Sequence, residues 1–195
     1  MESGHVHDEA TARSWIASML DEVVARLEAP ITWRLLQAFD IRDAASVNHW
    51  TELFLASRDS AEFRAETLQM GYSLGKLLPE LVPDDPSLLA LLPPPNELPF
   101  PTALAATAVA LKVPADEALL GMLFSWAENQ VLACVKSVPL GQVAGQRLLL
   151  SLRPQLEQAS DTARSIADED MSNWTPGLSL LSMQHEVQYS RLYRS

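Results

Sequence analysis

Cysteine is nearly missing from this chain, since Cys134 is the only one among 195 residues. A lone thiol excludes a disulfide framework and favours a reducing, cytoplasmic location. Cys134 lies in an apolar stretch with no histidine close to it in sequence, and apolar burial would raise its pKa. We therefore interpret Cys134 as a core residue and not as a catalytic nucleophile.

Glycine and basic residues are scarce as well: there are 7 glycines, and 14 Lys and Arg stand against 25 Asp and Glu, for a net charge of −11. Neither Gly-x-x-x-x-Gly-Lys-Ser/Thr nor Gly-x-Gly-x-x-Gly occurs, which excludes the familiar nucleotide-binding loops. The acidic balance argues against binding to nucleic acid, because the phosphates would repel the protein.

Long hydrophobic runs are lacking too, and none approaches the roughly 20 residues that span a bilayer. The first residues have neither the basic nor the apolar region of a signal peptide. We expect a soluble protein without a membrane partner. Its 48% hydrophobic and 20% charged residues are typical of a globular chain, and its length favours one domain over residues 1–195.

Helical periodicity dominates the sequence, and no stretch alternates with the period of a strand. A polar residue that can cap a helix, Asp8, precedes the first apolar stripe, and Pro30 suits the first turn of a second helix. The predicted helical segments are 10–27, 30–39, 44–56, 60–78, 103–111, 117–135, 141–156 and 159–171, followed by a short turn at 178–183. We predict an all-α fold, a single-domain bundle of about eight to ten helices.

Prolines cluster in residues 79–101, where a proline fixes φ and removes a hydrogen-bond donor. This segment is predicted to be a surface loop with one short helix around residues 88–92. The following segment 117–135 is the most apolar in the chain, and a helix of that kind is either central to the core or half in a subunit interface. Leu120, Phe124 and Ala127, at i, i+4 and i+7, are the candidates for a dimer face.

The Gly71-x-Ser73-x-Gly75 pattern formally matches the nucleophile elbow of serine hydrolases. That motif requires a sharp turn after a strand, whereas here it continues a helical stripe, so we expect the glycines to allow close packing instead. His185-Glu186 lacks the second histidine of a zinc-protease helix, because Tyr189 stands at i+4. His5 and His7 could chelate nickel only weakly, and we predict no metal site and no resident cofactor.

Two further segments carry polar groups suited to protein contacts. Lys136 falls in the last turn of a helix, where it complements the helix dipole, and Gln142 and Gln146 share one face of the next helix. The C-terminal segment 185–195 combines tyrosine and arginine, which dominate binding energy at interfaces. Its candidate docking residues are His185, Glu186, Tyr189, Ser190, Arg191, Tyr193 and Arg194.

The order of four segments resembles the urease accessory protein UreF family. They are Arg-Ala-Glu-Thr-Leu-Gln-Met-Gly at 64–71, Ser-Trp-Ala-Glu-Asn-Gln at 125–130, Lys-Ser-Val-Pro-Leu-Gly-Gln-Val-Ala-Gly-Gln at 136–146, and the C-terminal segment. The resemblance spans nearly the whole chain. It departs at the beginning, where family members open with Leu-Pro-x-Gly-Gly-(aromatic)-Ser, and we expect roughly the first helical segment of the family to be missing.

The resemblance implies a non-enzymatic scaffold that helps to deliver nickel to urease, with the metal handled by a larger complex. It further implies a homodimer that binds the UreD/UreH accessory protein and reaches the urease apoprotein through the complex. We expect the C-terminal segment to pack against UreD/UreH or against the body of its own chain. The same scaffold would recruit the GTPase UreG, at Lys136, Gln142 and Gln146, and regulate it as a GTPase-activating or fidelity factor. A serine hydrolase using Ser73 and a nickel chaperone using His5 and His7 are the alternatives.

Overall fold

The computed structural model of the chain describes residues 6–82, 85–172 and 175–186. Within these ranges all regular structure is helical, which confirms the predicted all-α fold. The α-helices are α1 Glu9–Met19, α2 Ala29–Asp40, α3 Ala44–Ala56, α4 Ala61–Leu81, α5 Pro86–Leu89, α6 Phe100–Ala110, α7 Ala115–Ser137, α8 Gln142–Ser151, α9 Arg153–Ser165 and α10 Pro176–Glu186. A π-helical segment, Leu20–Glu28, joins α1 to α2.

Contacts group these helices into two compact units. The first unit comprises Met1–Pro30 and Asp116–Asn173, and the second comprises Ile31–Ala115 and Trp174–Ser195. Each unit has its own buried apolar residues, with Ile16, Leu20, Leu119 and Leu123 in the first and Phe39 among those of the second. One domain over residues 1–195 stays a prediction.

The first unit begins at a helix cap that the sequence predicted. Asp8 accepts a 2.8 Å hydrogen bond from the backbone N–H of Thr11, and the Thr11 hydroxyl in turn accepts from the backbone N–H of Asp8. These bonds satisfy donors that would otherwise be unpaired at the start of α1. The hydrogen bonds from Thr11 lower the pKa of Asp8, so the cap is charged at neutral pH.

Pro30 lies in the first turn of α2, as predicted, but no break precedes it, because the π-helical segment runs directly into α2. In a π-helix each N–H bonds to the carbonyl five residues earlier, and the N–H of Ala29 bonds to the carbonyl of Val24 in this way. Pro30 has no N–H and cannot extend that pattern. The backbone N–H of Ser172 donates a 3.2 Å hydrogen bond to the carbonyl of Arg26, and α9 packs along the same π-helical segment.

The segment 141–156 was predicted to be one helix, but a break at Leu152 ends α8, and α9 begins at Arg153, before its predicted start at residue 159. Pro154 is the physical reason, because its ring would clash with the carbonyl four residues before it if α8 continued. The Pro154 residue instead lies in the first turn of α9, where a missing N–H costs nothing.

The second unit is built around the packing of α4 against α6. A Cβ atom on Gly71 would lie only 2.1 Å from the carbonyl oxygen of Leu98, so glycine is required where α4 meets the chain entering α6. Thr67 Oγ1 accepts a 3.1 Å hydrogen bond from the N–H of Phe100 at the same contact. Thr51 on α3 and Thr102 on α6 form a buried hydroxyl pair at 2.9 Å.

The Pro-rich segment 79–101 is partly helical. Helix α4 passes Pro79 and ends at Leu81, and α5 supplies the short helix that was expected near residues 88–92. The Arg42 guanidinium pairs with Asp85 at 2.7 Å, and Asp85 caps α5. Arg42 itself has a φ of 58°, in the left-handed region just after α2. The ion pair therefore links the end of α2 to the start of α5.

Helix α7 is long and apolar enough to cross a membrane, judged by length and composition alone. The expectation that no stretch approaches this length is therefore wrong for α7. Leu119 and Leu123 on this helix are fully buried in the first unit, and a core helix of a soluble protein can have the same length and composition.

Candidate functional site

The joint between α7 and α8, residues 138–141, positions the three residues that were predicted to contact a GTPase. The N–H of Val138 donates a 2.8 Å hydrogen bond to the carbonyl of Cys134, and both Val138 and Leu140 are buried. These contacts fix the direction in which the chain leaves α7. Lys136 stands exposed just before the joint, in the last turn of α7, and Gln142 stands exposed just after it.

Close packing of α8 on α7 fixes which side of α8 faces outward. A Cβ atom on Gly145 would lie 2.6 Å from Cγ2 of Val135 and 3.5 Å from Cγ1 of Val131, so α8 approaches the last turns of α7 at this glycine. Gly141, by contrast, has open space beside it and a φ of −70°, so neither conformation nor packing requires glycine there. The close approach at Gly145 leaves Gln146 exposed beside Gln142.

Two large apolar side chains, which the sequence analysis did not single out, share this outward side. Val143 is 72% exposed and Leu150 is 73% exposed. The buried residues of α8 are Gly145, Leu148 and Leu149, which lie on the opposite side of the helix. Successive residues turn by about 100° around a helix, and this spacing could have separated the two sets from the sequence alone.

The predicted dimer residues on α7 do not share one exposed face. Leu120 and Phe124 are 40% and 46% exposed, whereas Ala127 is fully buried. Ala127 was therefore wrongly included in the predicted dimer face, because its side chain is buried in the core of its own unit. Leu120 and Phe124 stay candidates for a dimer contact, and Leu132 further along α7 is also exposed.

The C-terminal docking segment begins at the end of α10, which two hydroxyl contacts hold in the second unit. Ser182 Oγ lies 2.7 Å from Oγ of Ser60, the cap of α4, and Ser179 Oγ donates to Asp59 at 2.8 Å. His185 and Glu186 are the last residues of α10, with side chains outside the described part of the structure. The other candidates, Tyr189, Ser190, Arg191, Tyr193 and Arg194, also lie outside the described residues, so the docking role stays a prediction.

Ser73 lies inside α4 and not on a strand-to-helix turn. Its Oγ donates a 2.9 Å hydrogen bond to the carbonyl of Gln69, four residues earlier, as helical serines commonly do. Gly71 and Gly75 both face Leu98, in agreement with the expectation that these glycines allow close packing. The geometry of a nucleophile elbow is therefore absent around Ser73.

Metal-ligating groups do not gather in the part of the chain that the structure describes, where no set of three or more His, Cys, Asp or Glu side chains is placed to hold an ion. His7 is exposed, with Nε2 at 3.7 Å from Asp8 Oδ2, and His5 lies outside the described residues. Cys134 is buried, and desolvation raises the pKa of its thiol. That pKa shift disfavours the thiolate that nucleophilic or metal-binding chemistry would require.

Known proteins support the resemblance drawn from the sequence. The model of the UreF family matches residues 6–153. The urease accessory protein UreF of Janthinobacterium sp. (strain Marseille) is 70% identical over the whole chain, which covers 86% of that relative. The UreF proteins of Nitrosospira multiformis and of Azoarcus sp. (strain BH72) are 59% and 47% identical over the whole chain, which covers 86% and 84% of them. On this evidence the chain belongs to the urease accessory protein UreF family, a family of accessory proteins and not of enzymes.

Proposed function

We propose that this protein is a cytoplasmic scaffold that binds UreD/UreH and recruits and regulates the GTPase UreG during nickel insertion into urease. The observation that carries the proposal is the surface around the joint between α7 and α8, where Lys136, Gln142 and Gln146 are exposed together with the apolar side chains of Val143 and Leu150. An accessory protein acts through surfaces of this kind, because exposed apolar area rimmed by polar groups marks a protein contact.

Binding to UreD/UreH is assigned to the C-terminal segment, 185–195. Arginine and tyrosine combine apolar area with directional hydrogen bonds, which makes them common anchors of interfaces. Helix α10 precedes the segment and is held to the start of α4 through Ser182 and Ser179. Because α10 is held in place, less conformational entropy is lost when the residues that follow it bind a partner.

A homodimer is the form in which we expect the scaffold to work, with Leu120 and Phe124 at the contact between copies. Both side chains are partly exposed on the long apolar helix α7, which favours burial against a second copy. Phe124→Asp would place a carboxylate in that contact, and burial of an unpaired charge is strongly unfavourable. Light scattering should then report monomers, whereas an unchanged dimer mass would remove α7 from the interface.

Nickel is expected to be cargo of the assembled complex and not a resident ion of this chain. The two alternative functions have weaker support. A serine hydrolase would need Ser73 outside a helix, and labelling of Ser73 by a fluorophosphonate probe would favour it. A nickel chaperone would need His5 and His7 to bind the ion, which equilibrium dialysis of the His5→Ala/His7→Ala variant would test.

The decisive experiment co-expresses the tagged chain with UreD/UreH and UreG and recovers the assembled complex. Replacing Lys136, Gln142 and Gln146 with alanine should release UreG while UreD/UreH stays bound. Removing residues 187–195 should release UreD/UreH while helical content, read from circular dichroism, stays unchanged. Lys112→Ala, at another exposed lysine, is the matched control and should leave both partners bound. Retention of UreG by the triple variant would contradict the proposed role of the joint.

A further inference from the structure

Helix α8 has apolar residues on two opposite sides, and only one of these sides belongs to a core. Gly145, Leu148 and Leu149 are buried, with Gly145 in close contact with α7. Val143 and Leu150, at i and i+7, project from the other side and are nearly three-quarters exposed. Such a pair does not stabilise its own unit by burial, and a contiguous apolar surface with polar neighbours is typical of a protein contact.

The charge around this side of α8 is unlike that of the rest of the chain. No aspartate or glutamate occurs between Glu128 and Glu157, although the whole chain carries a net charge of −11. The same interval contains three cations, Lys136, Arg147 and Arg153, of which Arg153 pairs with Glu157 at 2.9 Å. Arg147 is exposed and lies one turn from both Val143 and Leu150, on the outward side of α8.

A further guanidinium reaches the end of α8 from another helix. Arg13 on α1 donates from Nε to Oγ of Ser151 at 3.2 Å, and Ser151 is the last residue of α8. Arg147 lies one helical turn before Ser151. Cationic groups from two helices therefore lie near the C-terminal end of α8, where Leu150 is exposed.

We propose that the outer face of α8, defined as Val143, Gln146, Arg147 and Leu150, docks an acidic surface of the partner GTPase. This inference rests on the proposed function. It adds that the contact with the GTPase has apolar residues at its centre and a positive charge on the side of this chain. Val143 and Leu150 supply buried area, and Arg147 pairs with a carboxylate of the partner at the edge of that area. Arginine beside aliphatic side chains is a combination that gives interfaces both energy and orientation.

The charge of the face selects this occupant over a second copy of the chain. A two-fold contact between two α8 faces would bring Arg147 of each copy toward the same cationic patch, and like charges that face each other are repelled. A partner with carboxylates around an apolar pocket meets no such repulsion. Its carboxylates are attracted to the cationic groups over about one Debye length, which shortens as salt is added. Binding should therefore weaken as salt is raised.

The test measures the affinity of the complex with UreD/UreH for UreG by isothermal titration. Leu150→Asp and Arg147→Glu should each weaken binding at least about tenfold, and Arg147→Lys should keep part of the affinity because it retains the charge. The salt dependence of binding should be smaller for Arg147→Glu than for the unaltered chain. Ile41→Asp, at a side chain with the same 73% exposure, and Lys112→Glu are the matched controls and should bind as tightly as the unaltered chain.

Circular dichroism and thermal melting establish that each variant is folded before binding is measured. If the unaltered complex does not bind UreG, the proposed function fails and the face loses its assigned occupant. If it binds UreG and the two α8 variants bind equally well, the inference about the face is overturned while the proposed function stands. Loss of UreD/UreH, a change of oligomer mass, or binding of the unaltered chain to anionic vesicles that Arg147→Glu abolishes would each assign the face to another occupant and overturn it.

Discussion

Helices α6 and α8 are of nearly equal length, 11 and 10 residues, and both contain several apolar residues. Most of α6 is buried, and its buried residues are small: Pro101, Thr102, Ala103, Ala105, Ala106 and Ala108. Helix α8 buries one side and exposes large side chains, Val143 and Leu150, on the other. The presence of apolar residues alone therefore does not show that a helix is buried on all sides. The two helices differ in the size of their apolar side chains and in whether those side chains lie on the buried side.

Among conservative substitutions, the largest effect expected from this comparison is at Gly71, where α4 meets the chain entering α6. Gly71→Ala places a Cβ atom 2.1 Å from the carbonyl oxygen of Leu98, so backbone must move. We expect a loss of about 3 kcal/mol in the free energy of unfolding, at the upper end of the usual range for overpacking. Urea denaturation measures the loss.

Gly121→Ala is the matched control, because Gly121 is an exposed residue of α7 and a Cβ atom there would meet nothing within 4 Å. This variant should gain about 0.5 to 1 kcal/mol through higher helix propensity. Substitution of glycine by alanine should thus lower the free energy of unfolding at Gly71 and raise it at Gly121. Equal stability of the two variants would mean that α6 is not closely packed on α4.

Local signals in the sequence predicted most helices of the fold. Asp8 predicted the first cap, and the segment 44–56 coincides with α3. The continuity through Pro30 could not be predicted, because local signals do not indicate a π-helical segment, and the hydrogen bond from Ser172 to the Arg26 carbonyl comes from far away in sequence. The break before α9 could have been predicted, since Pro154 is incompatible with the interior of a helix.

The candidate site was predicted only in its polar part. Lys136, Gln142 and Gln146 are exposed around the joint, as their positions near helix ends indicated. Val143 and Leu150 were missed because the apolar residues of the segment 141–156 were not divided between the two sides of the helix. Ala127 shows the converse error, since a helical spacing that matched Leu120 and Phe124 did not establish exposure. Exposure depends on which helix packs nearby, and that is a property of the fold.

A smaller effect is expected from the polar contact that joins α6 to α3. Thr102→Val leaves the buried hydroxyl of Thr51 without its partner at 2.9 Å. An unsatisfied buried hydroxyl costs about 1 to 3 kcal/mol, so the single variant should lose stability within that range. The double variant Thr51→Val/Thr102→Val should recover much of the loss, because no polar group is then left unpaired. Additive losses in a double-mutant cycle would show that the two hydroxyls are not coupled.

The smallest effect on stability is expected at Leu150, and it separates docking from folding. Because this side chain is 73% exposed, Leu150→Asp removes little buried area and should change the free energy of unfolding by less than about 0.5 kcal/mol. Leu148→Asp, two residues away and 1% exposed, places a carboxylate in the core and should abolish stable folding. Thermal melting of both variants gives the contrast directly. A large loss for Leu150→Asp would make Leu150 a core residue, and its effect on partner binding could then be explained by unfolding of the first unit.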